Sequence, residues 1–206
     1  MAVSFPLALP TTTGIAKIRI SANNVVGVSM SPFTAKQQVY KYTGQFWEAE
    51  ISLPPMKRSE AEYWISFLLK LNGSYGTFLL GDPNGETARG VVTGTPLVNG
   101  ASQTGNELVT DGWTTSTTGI LKAGDYIQLG SGASAKLHKV LDDVDSDGSG
   151  NATITIWPDL RSAPSDNAAI VVSGAKGVFR LSTNQSDWDV NEASIYGMTF
   201  PAREAL

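Results

Sequence analysis

The sequence has no cysteine and only one histidine, His138. Disulfide staples, thiolate zinc sites and cysteine nucleophiles are therefore excluded, and the redox compartment is left open. Charge is also sparse: 17% of residues are Asp, Glu, Lys or Arg, below the usual quarter. The net charge of −4 and pI of about 5.0 argue against a general phosphate-binding surface. No apolar run approaches the ~20 residues that a membrane-spanning helix needs, so no membrane anchor is expected. The opening residues MAVSFPLALPTTTG lack a basic stretch, and Pro6 and Pro10 break their apolar run, unlike a secretory leader. Missing too are a P-loop, a dinucleotide-binding glycine fingerprint, a G-x-S-x-G elbow and a basic-aromatic platform for nucleic acid. Without such motifs no enzyme and no cofactor is expected, nor any sequence-specific nucleic-acid partner.

What is present is the composition of a turn-rich β-protein. Glycine, serine and threonine are abundant, and 206 residues are enough to bury a core without staples. Residues 15–20 (IAKIRI), 25–30 (VVGVSM) and 36–42 (KQQVYKY) read as separate strands, with turns at Asn23-Asn24, Pro32–Ala35 and Thr43-Gly44. From Phe46 to Leu53 apolar Trp47, Ala49, Ile51 and Leu53 alternate with a mostly polar face. A single convincing helix follows over about 59–72. Ser59 and Glu62 have the spacing of a capping box, and Glu60 adds favourable charge in the first turn. Ala61, Trp64, Phe67, Leu68 and Leu71 form one apolar stripe, and Asn72-Gly73 supply a left-handed stop. Residues 76–81 read as a buried strand closed by the Asp82–Gly85 turn.

After about Gly90 helical periodicity disappears. Strand candidates fall at 91–93, 96–98, 107–109, 125–129, 135–141, 152–157 and 169–173, separated by turns such as Asn99-Gly100 and Ala123-Gly124-Asp125. Amphipathic strands return after Lys176, around Phe179–Leu181 and Tyr196–Phe200. The expected architecture is mainly β. Residues 1–90 and 176–206 form a discontinuous β-sandwich domain with one flanking helix, and 91–175 form an inserted small β-barrel or sandwich module. Two consecutive β-domains are the alternative.

Three features invite a functional reading. Asp143, Asp145 and Asp147, followed by Gly148, match the start of a calcium loop, and Asn151 occupies the ninth position. Ile154 stands where the closing bidentate Glu belongs, so the competing reading is an exposed acidic hairpin tip. Trp113, after Asp111-Gly112, is the leading candidate sugar-stacking residue among the five tryptophans; Trp47 and Trp64 fit core positions, and a glycan-binding role would need an exposed Trp113 or Trp157 beside polar side chains. His138 has no second His or Cys to share a metal and reads as a structural or surface residue. No pair of carboxylates stands out as a glycosidase-like acid and base.

Together the N-terminal strands, the block FWEAEISLPPMKRSEAEYWISFLLKLNGSYGTFLLGDP and the closing segments FRLSTNQSDWDV and GMTFPAREAL resemble the distal tail proteins of long-tailed bacteriophages. That family resembles tail-tube subunits, in which a β-sandwich with a flanking helix assembles as a ring, usually a hexamer. The 91–175 module departs from the minimal tube fold, as varied insertions do in the family. The resemblance implies a structural virion protein that is assembled in the host cytoplasm and joins the tail tube to the tip or baseplate. It implies a homo-oligomer, with tail-tube and hub proteins as neighbours. An acidic subunit suits a DNA conduit, since a negative lumen does not grip passing phosphates. The N-terminal arm, with its prolines and threonine run, is expected to reach a neighbouring ring. The alternative function is a carbohydrate- or receptor-binding β-module of a phage tail or cell-surface system, with the insert contacting a host glycan.

Overall fold

The computed structural model describes residues 3–206. The protein is mainly β, with a single α-helix among the described residues. Strands β1 (Lys17–Met30), β2 (Gln37–Ser52) and β3 (Met56–Lys57) lead into α1 (Arg58–Leu71) and β4 (Phe78–Leu80). Next come β5 (Gly94–Val98), β6 (Gly105–Trp113), β7 (Tyr126–Leu129), β8 (Lys136–Val140), β9 (Ala152–Leu160) and β10 (Ile170–Val171). The chain closes with β11 (Gly177–Leu181), β12 (Asp189–Val190), β13 (Ile195–Gly197) and β14 (Thr199–Glu204).

Three sheets result. One has the order β1-β2-β14-β11-β4, so strands from both ends of the chain share it. The second, β10-β7-β8-β9-β6-β5, uses only residues 94–171. It is almost closed into a barrel, because Val98 donates to Ala168 O (2.9 Å) and Asn167 donates to Val98 O (2.9 Å) across its two edges. The third is the small sheet β12-β13-β3. Residues 91–93 stay irregular; there Val91 N–H donates to Gly119 O (2.8 Å).

The first sheet buries the alternate residues Trp47, Ala49 and Ile51, and α1 covers that face. Ala61, Trp64, Phe67, Leu68 and Leu71 are all buried, as the stripe demanded, and Ile65 joins them. A chain of aromatic contacts runs from helix to sheet, Trp64–Phe67 and Phe67–Phe78 edge-on and Phe78–Phe179 tilted, with ring centroids 5.9, 5.5 and 6.5 Å apart. Asn72 ends the helix in the left-handed region (φ 51°). The expected capping box is absent. The helix begins one residue early, at Arg58, so Ser59 lies inside the first turn and cannot cap. Glu62 instead accepts from Arg58 at 3.0 Å, an i,i+4 pair.

The largest difference from expectation is at β1 and β2. The four short strands are two long ones that pair from Lys17↔Ser52 to Met30↔Gln37. Asn23 and Asn24 make no turn, because their amides are used elsewhere. Asn23 Nδ2 donates to Glu48 Oε2 (3.0 Å), and Asn24 Oδ1 accepts from Trp157 Nε1 (3.0 Å). Thr43-Gly44 falls in an irregularity of the ladder opposite Val25. Gly44 permits it, since a Cβ there would sit 2.7 Å from Val25 Cγ2. The real turn is the Pro32–Ala35 break, closed by Ser31 N–H to Lys36 O (2.9 Å).

The N-terminal segment also departs from expectation. Leu7 pairs beside β4, donating to Thr77 O (2.8 Å) and accepting from Leu79 N–H (2.9 Å). Phe5, Leu7, Leu9 and Ile15 pack on the chain's own core. The apolar side chains of the N-terminal arm are thus used within the chain, and Met1 and Ala2 lie outside the described residues.

Candidate functional site

The aspartates of the 143–151 loop do not converge. Asp143 accepts from Lys122 Nζ and Ala123 N–H (both 2.9 Å), and the Lys122 ammonium holds its carboxyl below the ordinary value. Asp145 accepts from Gly119 N–H at 2.6 Å. Asp147 accepts from the backbone N–H and side-chain amide of Asn151 and from Ser149 N–H, which lower its pKa. Each carboxylate therefore ties down backbone amides of a different segment, and Asn151 serves Asp147. Among the described residues no three His, Cys, Asp or Glu side chains come together to hold a metal ion. The competing hairpin reading fits: the loop joins the antiparallel strands β8 and β9 with Asp143, Asp145 and Asp147 exposed, while Val144 and Ser146 turn inward and Val144 bridges to Leu121.

Trp113 is a core residue, 4% exposed, with its Nε1–H donated to Thr110 Oγ1 at 2.8 Å. It therefore cannot offer a stacking face to a sugar. Gly112 explains the turn-like local sequence. It lies within β6 at φ 74°, where a Cβ would come within 2.2 Å of Thr95 O. Glycine is required there for the close approach of β5, and the following side chain turns inward. Trp47 and Trp64 are buried as expected, and Trp157 stacks edge-on to Trp47 at 4.3 Å. Trp188 is partly exposed.

His138 is buried at the floor of a cavity of about 250 Å³ that is also lined by Lys136, Arg161, Ser134 and Ser162. Its Nδ1–H donates to Pro158 O at 2.7 Å, and Nε2 has no partner. Burial pushes its pKa down to about 4, reinforced by Arg161 and Lys136. The imidazole is thus neutral near pH 7. No acidic partner orients it, and its one bonded nitrogen faces a backbone carbonyl, as in a structural histidine.

The surface that stands out is the distal part of the β1–β2 hairpin. β14 pairs with β2 only along Glu48–Ser52, so Gln37–Gln45 have β1 as their only ladder partner. Among the described residues the outer edge of β1 is unpaired throughout its 14 residues. Val26, Val28 and Met30 continue the alternate positions of the half-buried Ile18 and Ile20 past the body and are exposed, Val28 at 60%. Val39, Tyr40 and Tyr42 are exposed on β2, and Phe33 at the tip is 95% exposed. The sequence signal for this feature was present but divided: runs of β-formers on both sides of Pro32, interrupted by residues that look like turns. Comparison of the chain with protein-family models and with curated protein sequences gave no match.

Proposed function

We propose that this chain is a structural subunit that assembles with copies of itself into a ring at the distal end of a long-tailed phage tail. The ring joins tube to tip and continues the DNA conduit. The observation that carries this reading is the projecting β1–β2 hairpin, an apolar surface beside an open strand edge. Monomeric proteins blunt such edges or cover them, and exposed apolar rows of this kind mark interaction sites. A ring subunit gains from both, because its neighbour supplies the missing strand partner and covers the side chains. In this reading the tail-tube and hub proteins lie above and below. The alternative, a carbohydrate- or receptor-binding module, is weakened because Trp113 belongs to the core and Trp157 is half-buried, edge-on against Trp47.

The test is the solution mass of the purified protein by light scattering, across concentration and salt, with electron microscopy of the same sample. Six copies of the 21.8 kDa chain give about 131 kDa and a closed ring. A particle that stays at 21.8 kDa at every concentration counts against the proposal.

A further inference from the structure

Charge is divided unevenly along this chain. Its first acidic residue is Glu48; before it come only Lys17, Arg19, Lys36 and Lys41, and all 19 acids follow. The projecting hairpin is therefore basic and apolar, with Lys36 beside its tip and Lys41 on β2. The complementary surface is β12 with its flanking loop. β12 is an edge strand that, among the described residues, pairs only with β13. Asp187, Asp189 and Glu192 are exposed around it and form no ion pair among the described residues. Trp188 and Val190 lie exposed between them, Trp188 at 39%. Acids, an aromatic and an open backbone edge thus stand together, matching the lysines, apolar side chains and open edge of the hairpin.

The two surfaces cannot meet within one molecule. β2 runs from Gln37 at the tip to Ser52, which pairs with both Lys17 and Thr199 at the root. The small sheet follows at once, with β3 at Met56 and Lys57 paired to Tyr196 and Ile195 of β13. At about 3.3 Å per residue, β2 separates the tip from the acidic edge by roughly 50 Å. Two complementary patches at opposite poles of one chain make a heterologous contact, which closes into a ring when the rotation between copies allows it.

We infer that the hairpin tip of one copy docks on the acidic β12 edge of the next, joining copies head to tail. This deepens the ring proposal and rests on it. Phe33 and Met30 lie against Trp188 and Val190, while Lys36 and Lys41 face Asp187, Asp189 and Glu192. Lys41 is already near Asp159 (3.2 Å) but keeps two thirds of its side chain exposed, so it can be shared.

The absence of native cysteine makes the test clean. A chain carrying Phe33→Cys and Val190→Cys is oxidised under mild conditions, and the linked peptides are identified by mass spectrometry in a mixture of isotopically light and heavy copies. The expected result is an intermolecular 33–190 disulfide at least tenfold above a Phe33→Cys/Tyr63→Cys control, because Tyr63 on α1 is at least as exposed as Val190 (59% against 51%). Reversing Asp187, Asp189 and Glu192 to lysine should abolish that link without changing the melting temperature. Reversing Lys36 and Lys41 to glutamate in a second chain should restore it on mixing. A wild-type ring whose 33–190 pair links no better than the control overturns this docking while leaving the ring reading intact. A chain that remains monomeric at all concentrations overturns both.

Discussion

Burial of His138 leads to a quantitative expectation for stability against pH. The unfolded imidazole titrates near 6.5, while the folded one is pushed down to about 4. The unfolded chain therefore binds the proton more tightly. Stability is full above about pH 6.5, falls as pH drops, and levels off below about 4. Each pH unit between the two values is worth about 1.4 kcal/mol, so roughly 3 kcal/mol is lost across the window and about 2 kcal/mol by pH 5. The cause is local: protonation would put a cation in a buried site beside Lys136 and Arg161, with only Pro158 O as a fixed acceptor. Carboxylates titrate in the same range, so the assay needs a reference. Urea unfolding of the wild type and of His138→Met at pH 7 and pH 5 supplies one, since carboxylate contributions cancel in the difference. The variant should lose about 1 kcal/mol at pH 7 through the missing Pro158 hydrogen bond and should have the flatter pH profile. Parallel profiles, or an imidazole NMR signal that titrates near 6.5 in the folded protein, would refute the reasoning.

Two further outcomes check the core and the junction between sheets. Trp113→Ala should cost about 3–5 kcal/mol in chemical denaturation, as expected of a buried indole and not of an exposed sugar platform, which would lose binding with little loss of stability. Glu204 accepts from Arg161 through both oxygens (2.6 Å each) and from Trp47 N–H (3.0 Å), while Arg161 also donates to Gln45 O. Glu204→Leu should therefore destabilise by about 3–5 kcal/mol, and adding Arg161→Met should recover a substantial part. Strict additivity of the two losses would show that the pair does not act as a unit.

Much of the helix and barrel was legible because their signals are local. The α1 stripe has a clear 3.6-residue period, Asn72 carries its own left-handed preference, and most barrel strands are short β-forming runs between glycine turns. What failed was decided by partners distant in sequence. Asn23 and Asn24 look like a turn, yet Glu48 and Trp157 occupy their amides, the latter 133 residues away. Asp111-Gly112 looks like a loop that would expose Trp113, yet the glycine is needed for the approach of β5. The aspartates have calcium-loop spacing, but backbone amides of neighbouring segments had already claimed their oxygens. Short motifs state what a side chain can do; the fold decides which partner reaches it first.

The same two strands carry both stability and the proposed assembly, but at different ends. Ile18 and Ile20 of β1 and Trp47, Ala49 and Ile51 of β2 belong to the core cluster beneath α1, whereas no residue from Val25 to Tyr42 belongs to either buried cluster. An isolated two-stranded ribbon is marginal in water, and cross-strand pairs supply only about 0.2–1 kcal/mol each. The distal hairpin is thus held in shape mainly by the strands that continue into the body, and it contributes little to the body's own folding. A surface that is extended by rigid strands and apolar without being buried, with an open ladder edge, is costly for a solitary molecule. In the proposed ring a second copy covers it. If the proposed docking holds, substitutions at Phe33, Lys36 or Val39 should change assembly while leaving the core that positions the hairpin unchanged.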